Sequence, residues 1–453
     1  MLALIISIFG ILVTILFVIG THEYAHFMVA RLLGVKVLRF SIGFGKALFR
    51  WQGKSGTEYV LALIPLGGYV KMLDASEGTV APDDLPRAYN HQPFYKKCLI
   101  VLAGPLMNFL CAFLLYWIIF MVGFTTIKPV IGEITPSSIA AASNLTAQQE
   151  IIRIDHQPTR TWMSIMFRLL SHAGEQGSVA ITVQSLQMPF RTTTHHLNLT
   201  GWRMDELKPD PLTSLGIIPY RPPTPLILGV ITANSPAMKA GFKIGDQLLT
   251  INQQPLSDWE TVMTLIKSHP EKTLPFQVLR QGKRVSLEVL IGYHRNLWGQ
   301  KQGYLGLGPK LVWPANMRQA VQYSPVPALA QAGREILNFT YFNVMLIGKL
   351  VTGKLSLKTL GGPITIFESA GAALNSGFLS FTAFLAFLSL SIGLINLLPI
   401  PGLDGGHLFI QLIEFIIRRP LPEKVLTLSF QFGFGLLIFV LVQALINDLL
   451  RLY

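Results

Sequence analysis

Four stretches of the chain are long, apolar and free of charged side chains, and they constrain its fold more than any other feature. They are residues 1–21, 98–124, 370–403 and 425–447. Each has the roughly 20 residues that a helix needs to cross about 30 Å of hydrocarbon. Only 13% of all residues are charged, about half the share in a soluble domain. The sequence therefore argues against a soluble enzyme domain or a disordered scaffold, and predicts four membrane-spanning helices.

Basic residues in the short loops predict how these spans are oriented. Residues 27–97 carry ten Lys or Arg against five Asp or Glu, and Arg418, Arg419 and Lys424 lie between the last two spans. Because such loops stay in the cytoplasm, we expect both termini and residues 125–375 on the external side. The net charge of +13 need not indicate nucleic-acid binding, because membrane proteins carry basic residues in their cytoplasmic loops. The sequence therefore predicts a lipid bilayer, and no nucleic acid, as a partner.

The external segment contains an internal repeat at an offset of 97 residues. The matching pairs include Gly132–Thr135 with Gly229–Thr232, Gln157-Pro158 with Gln254-Pro255, and Trp162 with Trp259. A register without gaps over about 30 residues predicts two copies of one domain.

The second copy resembles a PDZ domain. Its matching pieces are Ser235-Pro236-Ala237, Ala240-Gly241-Phe242 and Gly245-Asp246, whereas the first copy departs from them with Asn144, Gln148 and Gln149. PDZ domains bind extended peptide ends by adding a strand to a sheet edge. Peptide C-termini are therefore candidate partners, and the alternative is a steric or gating role without a peptide ligand.

An H-E-x-x-H pentad continues the first apolar run, at His22, Glu23 and His26. On a helix, positions four apart share a face, so both imidazoles can bind one Zn²⁺ while Glu23 takes a proton from water. A solvated helix end is the simpler alternative. It is disfavoured because ionisable residues at membrane depth are costly and indicate function.

A catalytic zinc site needs a third protein ligand, and Asp404 is the best candidate. It is the only acidic residue between Glu368 and Glu414. The loop charges place it and the pentad at the same, cytoplasmic face. Pro399 and Pro401 must break the helix before it. Two alternatives remain: Asp404 could cap a helix, and His407 could be the ligand in its place.

These motifs together resemble the site-2 protease family of intramembrane zinc metalloproteases. H-E-x-x-H ends the first span, and N-x-x-P-x-P-x-x-D-G-G runs from Asn396 to Gly406 in the third. The resemblance implies that His22, His26 and Asp404 bind zinc, that Glu23 is the catalytic base and that Asn396 holds the substrate. Family members often carry a second Asn where this chain has Ser391, which puts a substrate contact there in doubt.

Further matching pieces lie in the first cytoplasmic loop, and the resemblance marks them as substrate-binding: Gly43, Gly45, Gly67, Gly68, Tyr69, Val70 and Lys71. Gly67-Gly68 reads as a turn between residues 60–64 and 69–72, and thus as a hairpin that enters the membrane and offers an edge strand. The alternative is an ordinary cytoplasmic hairpin. Gly104 and Asn108, one turn apart on the second span, either pack helices together or guide the substrate.

The predicted fold is an α-helical polytopic membrane protein with four transmembrane helices, a membrane-associated β-hairpin and two external PDZ-like α+β domains. The predicted units are 1–33 (first span), 34–97 (loop with hairpin), 98–124 (second span), 125–222 and 223–310 (PDZ-like domains), 311–369 (amphipathic or interfacial segment), 370–407 (third span), 408–424 (cytoplasmic loop) and 425–449 (fourth span).

The resemblance implies a zinc metalloendopeptidase of a bacterial inner membrane, with periplasmic PDZ-like domains and an active site towards the cytoplasm. Its expected partners are single-span membrane proteins whose ectodomain has already been trimmed, including anti-sigma factors of an envelope stress response and remnant signal peptides. The rival hypotheses are a metal transporter and a catalytically silent PDZ adaptor. Neither needs Glu23 as a base, so Glu23→Gln discriminates between them and a protease.

Overall fold

The computed structural model describes residues 2–76, 78–187, 190–205, 210–295 and 300–451. Parts of the predicted units 1–33, 34–97, 125–222 and 223–310 lie outside these ranges. The helices are α1 (Leu2–Leu32), α2 (Phe94–Val122), α3 (Ile139–Ala142), α4 (Trp162–Ser171), α5 (Pro211–Leu215), α6 (Pro236–Lys239), α7 (Trp259–Lys267), α8 (Pro325–Val351), α9 (Pro363–Asn375), α10 (Phe378–Asn396), α11 (Asp404–Ile417) and α12 (Glu423–Arg451).

The strands are short outside the loop between α1 and α2. They are β1 (Val37–Gln52), β2 (Glu58–Met72), β3 (Phe124–Ile127), β4 (Ile131–Ile134), β5 (Gln149–Ile154), β6 (Gln157–Pro158), β7 (Ser178–Ser185), β8 (Thr192–Asn198), β9 (Ile217–Pro219), β10 (Leu228–Ile231), β11 (Gln247–Ile251), β12 (Gln254–Pro255), β13 (Thr273–Arg280), β14 (Lys283–Leu290), β15 (Gly292–Arg295), β16 (Lys301–Tyr304), β17 (Leu307–Pro309) and β18 (Arg318–Val321).

Four helices, α1, α2, α10 and α12, are long and apolar enough to cross a membrane. The prediction of a multi-pass membrane protein is therefore confirmed. Helix α2 packs against both α1 and α10. The approach to α10 is close because Gly393 lies against α2, where an added Cβ would come within 3.0 Å of the Asn108 Cβ. Small residues allow such approach in membranes, where packing rather than water drives helix association.

The third predicted span is not one helix, and its bounds of 370–407 are corrected. Helix α9 ends at Asn375, Gly377 adopts a φ of +104°, and the spanning helix α10 then covers only Phe378–Asn396. A left-handed backbone suits glycine, which has no Cβ, so the chain breaks there without a charged residue to mark it. Helix α11 also takes up most of 408–424, which was predicted as a loop.

The hairpin prediction for the loop between α1 and α2 is also corrected. Phe40 pairs with both Val70 and Tyr59, and Ile42 pairs with both Gly68 and Leu61. The first half of β1 therefore lies between the two ends of β2, and the predicted arms around Gly67-Gly68 do not pair with each other. Residues 68–72 form an outer strand of this sheet.

The two repeats have the same topology, which is consistent with the PDZ-like domains predicted. One four-stranded sheet has the order β6-β5-β7-β8 and the other β12-β11-β13-β14. Each domain adds a two-stranded pair, β4-β9 in the first and β10-β17 in the second. Each encloses its own apolar core, so each stands without a disulfide.

The segment between α2 and α8 is joined to these helices at two places. Strand β3, just after α2, pairs with β18, just before α8, so the segment leaves and returns at neighbouring points. The first PDZ-like domain also rests on α8. The buried Lys349 ammonium donates to the Ala173 carbonyl at 2.6 Å and pairs with Glu175 at 3.1 Å, and the rings of Phe167 and Phe342 stack 4.5 Å apart.

Candidate active site

His22 and His26 lie one turn apart on α1, and both side chains are buried against α2. Their Nε2 atoms are 3.2 Å apart. Two buried imidazoles whose Nε2 atoms lie this close offer two lone pairs to a common point.

Asp404 completes the cluster from α11, more than 370 positions away in the sequence. Its Oδ2 lies 3.1 Å from His22 Nε2 and 3.5 Å from His26 Nε2. In a tetrahedral zinc site with bonds of 2.0–2.1 Å, neighbouring ligand atoms are about 3.3 Å apart. The three observed separations lie on either side of that value, so these residues fit a zinc ion.

Two further observations support this fit. Asp404 Oδ2 is buried and has no hydrogen-bond partner of acceptable geometry, although both Nε2 atoms are near. Gly104 of α2 leaves space beside the imidazoles, because an added Cβ would lie 2.2 Å from His26 Nε2. His22, His26 and Asp404 also form the one group of potential metal ligands found among the described residues.

The D-G-G motif explains how Asp404 reaches the histidines. After α10 the chain turns back through short backbone hydrogen bonds, such as Ile400 N–H to the Leu398 carbonyl at 2.7 Å. An added Cβ would lie 2.4 Å from the Leu397 carbonyl oxygen at Gly405, and 2.2 Å from that of Ile400 at Gly406. Both glycines are needed for the start of α11 to rest on this turn, which places Asp404 as its first residue.

Glu23 lies next to the cluster and against the loop sheet. An added Cβ at Gly68 would come within 2.7 Å of the Glu23 Cγ. Because residues 68–72 form an outer strand, the carboxylate lies beside an open sheet edge. The carboxylate predicted to act as the base and the strand edge predicted to bind the substrate are therefore adjacent.

The other predicted substrate-binding residues lie farther along the same sheet. Gly43 and Gly45 have φ values of +92° and +84°, at the point where β1 bends. A Cβ at Gly67 would meet the Phe44 ring. The Tyr69 hydroxyl accepts a hydrogen bond from Arg39 at 3.1 Å.

The side chains of the remaining predicted residues have different surroundings. Val70 packs on the buried cluster around Phe27, and Lys71 is exposed. Asn396 is half-buried at the end of α10. The alternative ligand His407 lies one turn beyond Asp404, with its ring 5.1 Å from that of Phe430.

One contact was not predicted. Asn108, singled out in the sequence for packing or substrate guidance, has its amide nitrogen 3.2 Å from His22 Nδ1. The Ile100 carbonyl is 2.7 Å from His26 Nδ1. The spacing of four between Ile100, Gly104 and Asn108 places these residues on one face of α2, but it does not show that this face meets the histidines.

Comparison with known proteins agrees with this geometry. The model of Peptidase family M50 matches residues 10–440. The regulator of sigma-E protease RseP of Escherichia coli is 39% identical over 444 residues, covering 98% of this chain and 97% of the relative. Its counterpart in Salmonella typhimurium is 39% identical over 455 residues, 100% of this chain and 98% of the relative. A Vibrio cholerae protein whose name includes the words zinc metalloprotease is 38% identical over 435 residues, 96% of each chain.

Proposed function

The chain belongs to peptidase family M50, and on that premise we propose that it hydrolyses peptide bonds in or near the transmembrane segments of single-span membrane proteins. It is a zinc metalloprotease with several membrane-spanning helices, and membrane proteins are its substrates. The observation that carries the proposal is the position of Glu23, between three convergent ligand atoms and an open strand edge.

In the proposed mechanism His22, His26 and Asp404 hold the zinc ion. Bound zinc supplies Lewis acidity, which polarises the scissile carbonyl and makes water a stronger acid. Glu23 accepts the proton of the attacking water and passes it to the leaving amine. No side chain of this site is required as a covalent nucleophile.

Residues 68–72 are proposed to hold the substrate backbone. A transmembrane helix already satisfies its amides internally, so it must unwind before it can be cut, and a sheet edge offers replacement partners. Exposed apolar side chains on this sheet, including Leu48, Phe49 and Trp51, support its insertion into the hydrocarbon. Asn396 is proposed to hold the substrate near the scissile bond.

We further propose that the PDZ-like domains and both termini face the periplasm, and that the active site lies towards the cytoplasm. The basic loops support this orientation. In that arrangement the external domains exclude substrates with bulky ectodomains, so that only proteins trimmed by an earlier protease reach the site. Anti-sigma factors and remnant signal peptides are substrates of the proposed kind, and a peptide C-terminus is a candidate ligand for either PDZ-like domain.

Glu23→Gln tests the proposed mechanism. The amide cannot accept the proton, and general-base catalysis is worth about 10²–10⁴-fold. Cleavage of a tagged, trimmed single-span protein in cells should therefore fall by at least about 100-fold, while zinc content stays at the wild-type level. Tyr24→Phe, on the exposed side of the same helix turn, is the matched control and should cleave normally. Wild-type cleavage by Glu23→Gln would refute the assignment of the base.

A further inference from the structure

Helices α1 and α2 cross so that two histidines four residues apart on α1 meet two residues that are eight apart on α2. His26 lies opposite Ile100, and His22 lies opposite Asn108. Gly104, midway between the two α2 residues, faces both imidazoles. Each histidine therefore meets one polar group of α2 on the side of the ring that faces away from Asp404.

The His26 contact shows what such a group does. Its Nδ1 lies 2.7 Å from the Ile100 carbonyl oxygen, which can only accept a hydrogen bond. Nδ1 must therefore carry the proton, and Nε2 presents its lone pair to the ligand cluster. A fixed backbone acceptor thus sets both the tautomer and the orientation of this ring.

His22 has no backbone acceptor at the equivalent place, and the side chain of Asn108 occupies it. Asn108 is fully buried, and its amide nitrogen is 3.2 Å from His22 Nδ1. Its Oδ1 is buried and has no hydrogen-bond partner among the described residues. The two ends of an amide are assigned from the hydrogen-bond network. Zinc on Nε2 requires a proton on Nδ1, so Oδ1 is the end that must face the ring.

Asn108 is also held in place through its backbone and its Cβ. The buried Ser389 hydroxyl of α10 donates to the backbone carbonyl of Asn108 at 2.9 Å, and Gly393 packs against the Asn108 Cβ. Three helices thus hold Asn108 in position, which is what a rigid support for a metal ligand requires.

We propose that Asn108 is a positioning residue for zinc, and that its Oδ1 accepts the Nδ1 proton of His22 and fixes Nε2 as the ligand atom. This inference rests on the proposed ligand role of His22. Loss of such a supporting hydrogen bond typically weakens metal binding by about 10–100-fold. Asn108 does not touch the substrate or the reacting atoms in this role.

The test is zinc affinity, measured by competition with a chelator on the full chain in detergent. Asn108→Leu, similar in size but without an acceptor, should bind zinc about 10–100-fold more weakly. Asn108→Asp keeps an acceptor and should stay within a few-fold of wild type. Thr14→Val is the control. It removes a buried hydroxyl that donates to the Gly10 carbonyl within α1, and it should not change zinc affinity.

A double-mutant cycle separates positioning from general packing. In a His22→Ala background, Asn108→Leu should not weaken zinc binding any further. In a His26→Ala background, it should weaken zinc binding by the same factor as in the wild-type chain. An equal loss in both backgrounds would overturn the proposal, and so would wild-type zinc affinity in folded Asn108→Leu. If Asn108→Leu does not fold, Asn108→Ala adds no bulk and replaces it in the same cycle.

The same cycle distinguishes this proposal from the proposed active site. If His22→Ala alone leaves zinc affinity unchanged, His22 is not a ligand and both proposals fail. If His22→Ala abolishes binding while Asn108→Leu has no effect, only the positioning role of Asn108 fails.

Discussion

Gly104 sets how closely α2 can approach the two histidines. No side chain larger than hydrogen fits there, since a Cβ would lie 2.2 Å from one imidazole and 2.7 Å from the other. In a protein interior packed as densely as an organic crystal, such an overlap must move the ligands or the helix.

Gly104→Ala should therefore damage the metal site while leaving the fold intact. Overpacking costs about 1–3 kcal/mol, which corresponds to roughly 5–140-fold in zinc affinity at 1.4 kcal/mol per decade. Competition with a chelator measures the zinc affinity. Gly435→Ala is the matched control because a Cβ at this glycine of α12 meets nothing within 4 Å. Equal zinc affinity in both variants would contradict the argument.

The clustering of His22, His26 and Asp404 was predictable because each part left its own mark. The pentad has helical spacing, Asp404 is an isolated acid at the end of an apolar run, and the loop charges put both at one face. The contact between Asn108 and His22 left no such mark. It depends on how two helices cross, and a spacing of four within α2 states only which residues share a face.

At the scale of the element, the second PDZ-like domain contains an ion pair that the first lacks. Asp246 is fully buried and bonded to Arg280 at 2.7 and 2.8 Å. By strand register the equivalent positions in the first repeat are the uncharged Gln149 and Ser185. Burial alone would raise the pKa of Asp246, but Arg280 and the backbone amide of Lys243 outweigh it and the pKa is lowered.

Because the pKa of folded Asp246 is below its unfolded value, its contribution to stability is present above about pH 4 and is lost as pH falls through the folded pKa. Asp246→Asn should lower the free energy of unfolding of this domain by about 3 kcal/mol at pH 7. The gap from wild type should narrow below about pH 4.

Pulse proteolysis of the full chain, read at sites within residues 228–309, measures the effect. Glu260→Gln makes the same charge change on an exposed side chain and should stay within about 0.5 kcal/mol. A deficit in Asp246→Asn that persists unchanged at low pH would rule out the ion pair as its cause.

Element boundaries were less predictable than element types. The third span was drawn too long because length and lack of charge were its only signals, and neither marks a break such as Gly377. The strands around Gly67-Gly68 were recognised, but their partner was not. Local alternation does not reveal that residues 39–42 insert between them, because strand pairing is set by contacts distant in sequence.

At the scale of the whole molecule, the segment between α2 and α8 begins and ends at neighbouring points. The β3–β18 pair brings its two ends together, with Ile127 opposite Arg318. The β3–β18 pair therefore keeps the end of α2 close to the start of α8 when the residues between these two strands are deleted.

Deleting residues 128–310 should let the enzyme cleave a single-span substrate with its ectodomain intact, because nothing would then exclude it. Cleavage of matched trimmed and untrimmed substrates in cells provides the measurement. The deletion combined with Glu23→Gln should cleave neither substrate. A deletion variant that cuts the trimmed substrate but still ignores the untrimmed one would eliminate the size-filter proposal.

The two contacts of His22 and His26 with α2 limit which insertions and deletions this chain can accept during evolution. Each residue inserted in a helix turns everything beyond it by about 100°. One extra residue between Ile100 and Asn108, or between His22 and His26, would carry one contact off the shared face while leaving the other in place. Residues 22–26 and 100–108 can therefore change by substitution, but the number of residues in each segment must stay the same to keep both contacts.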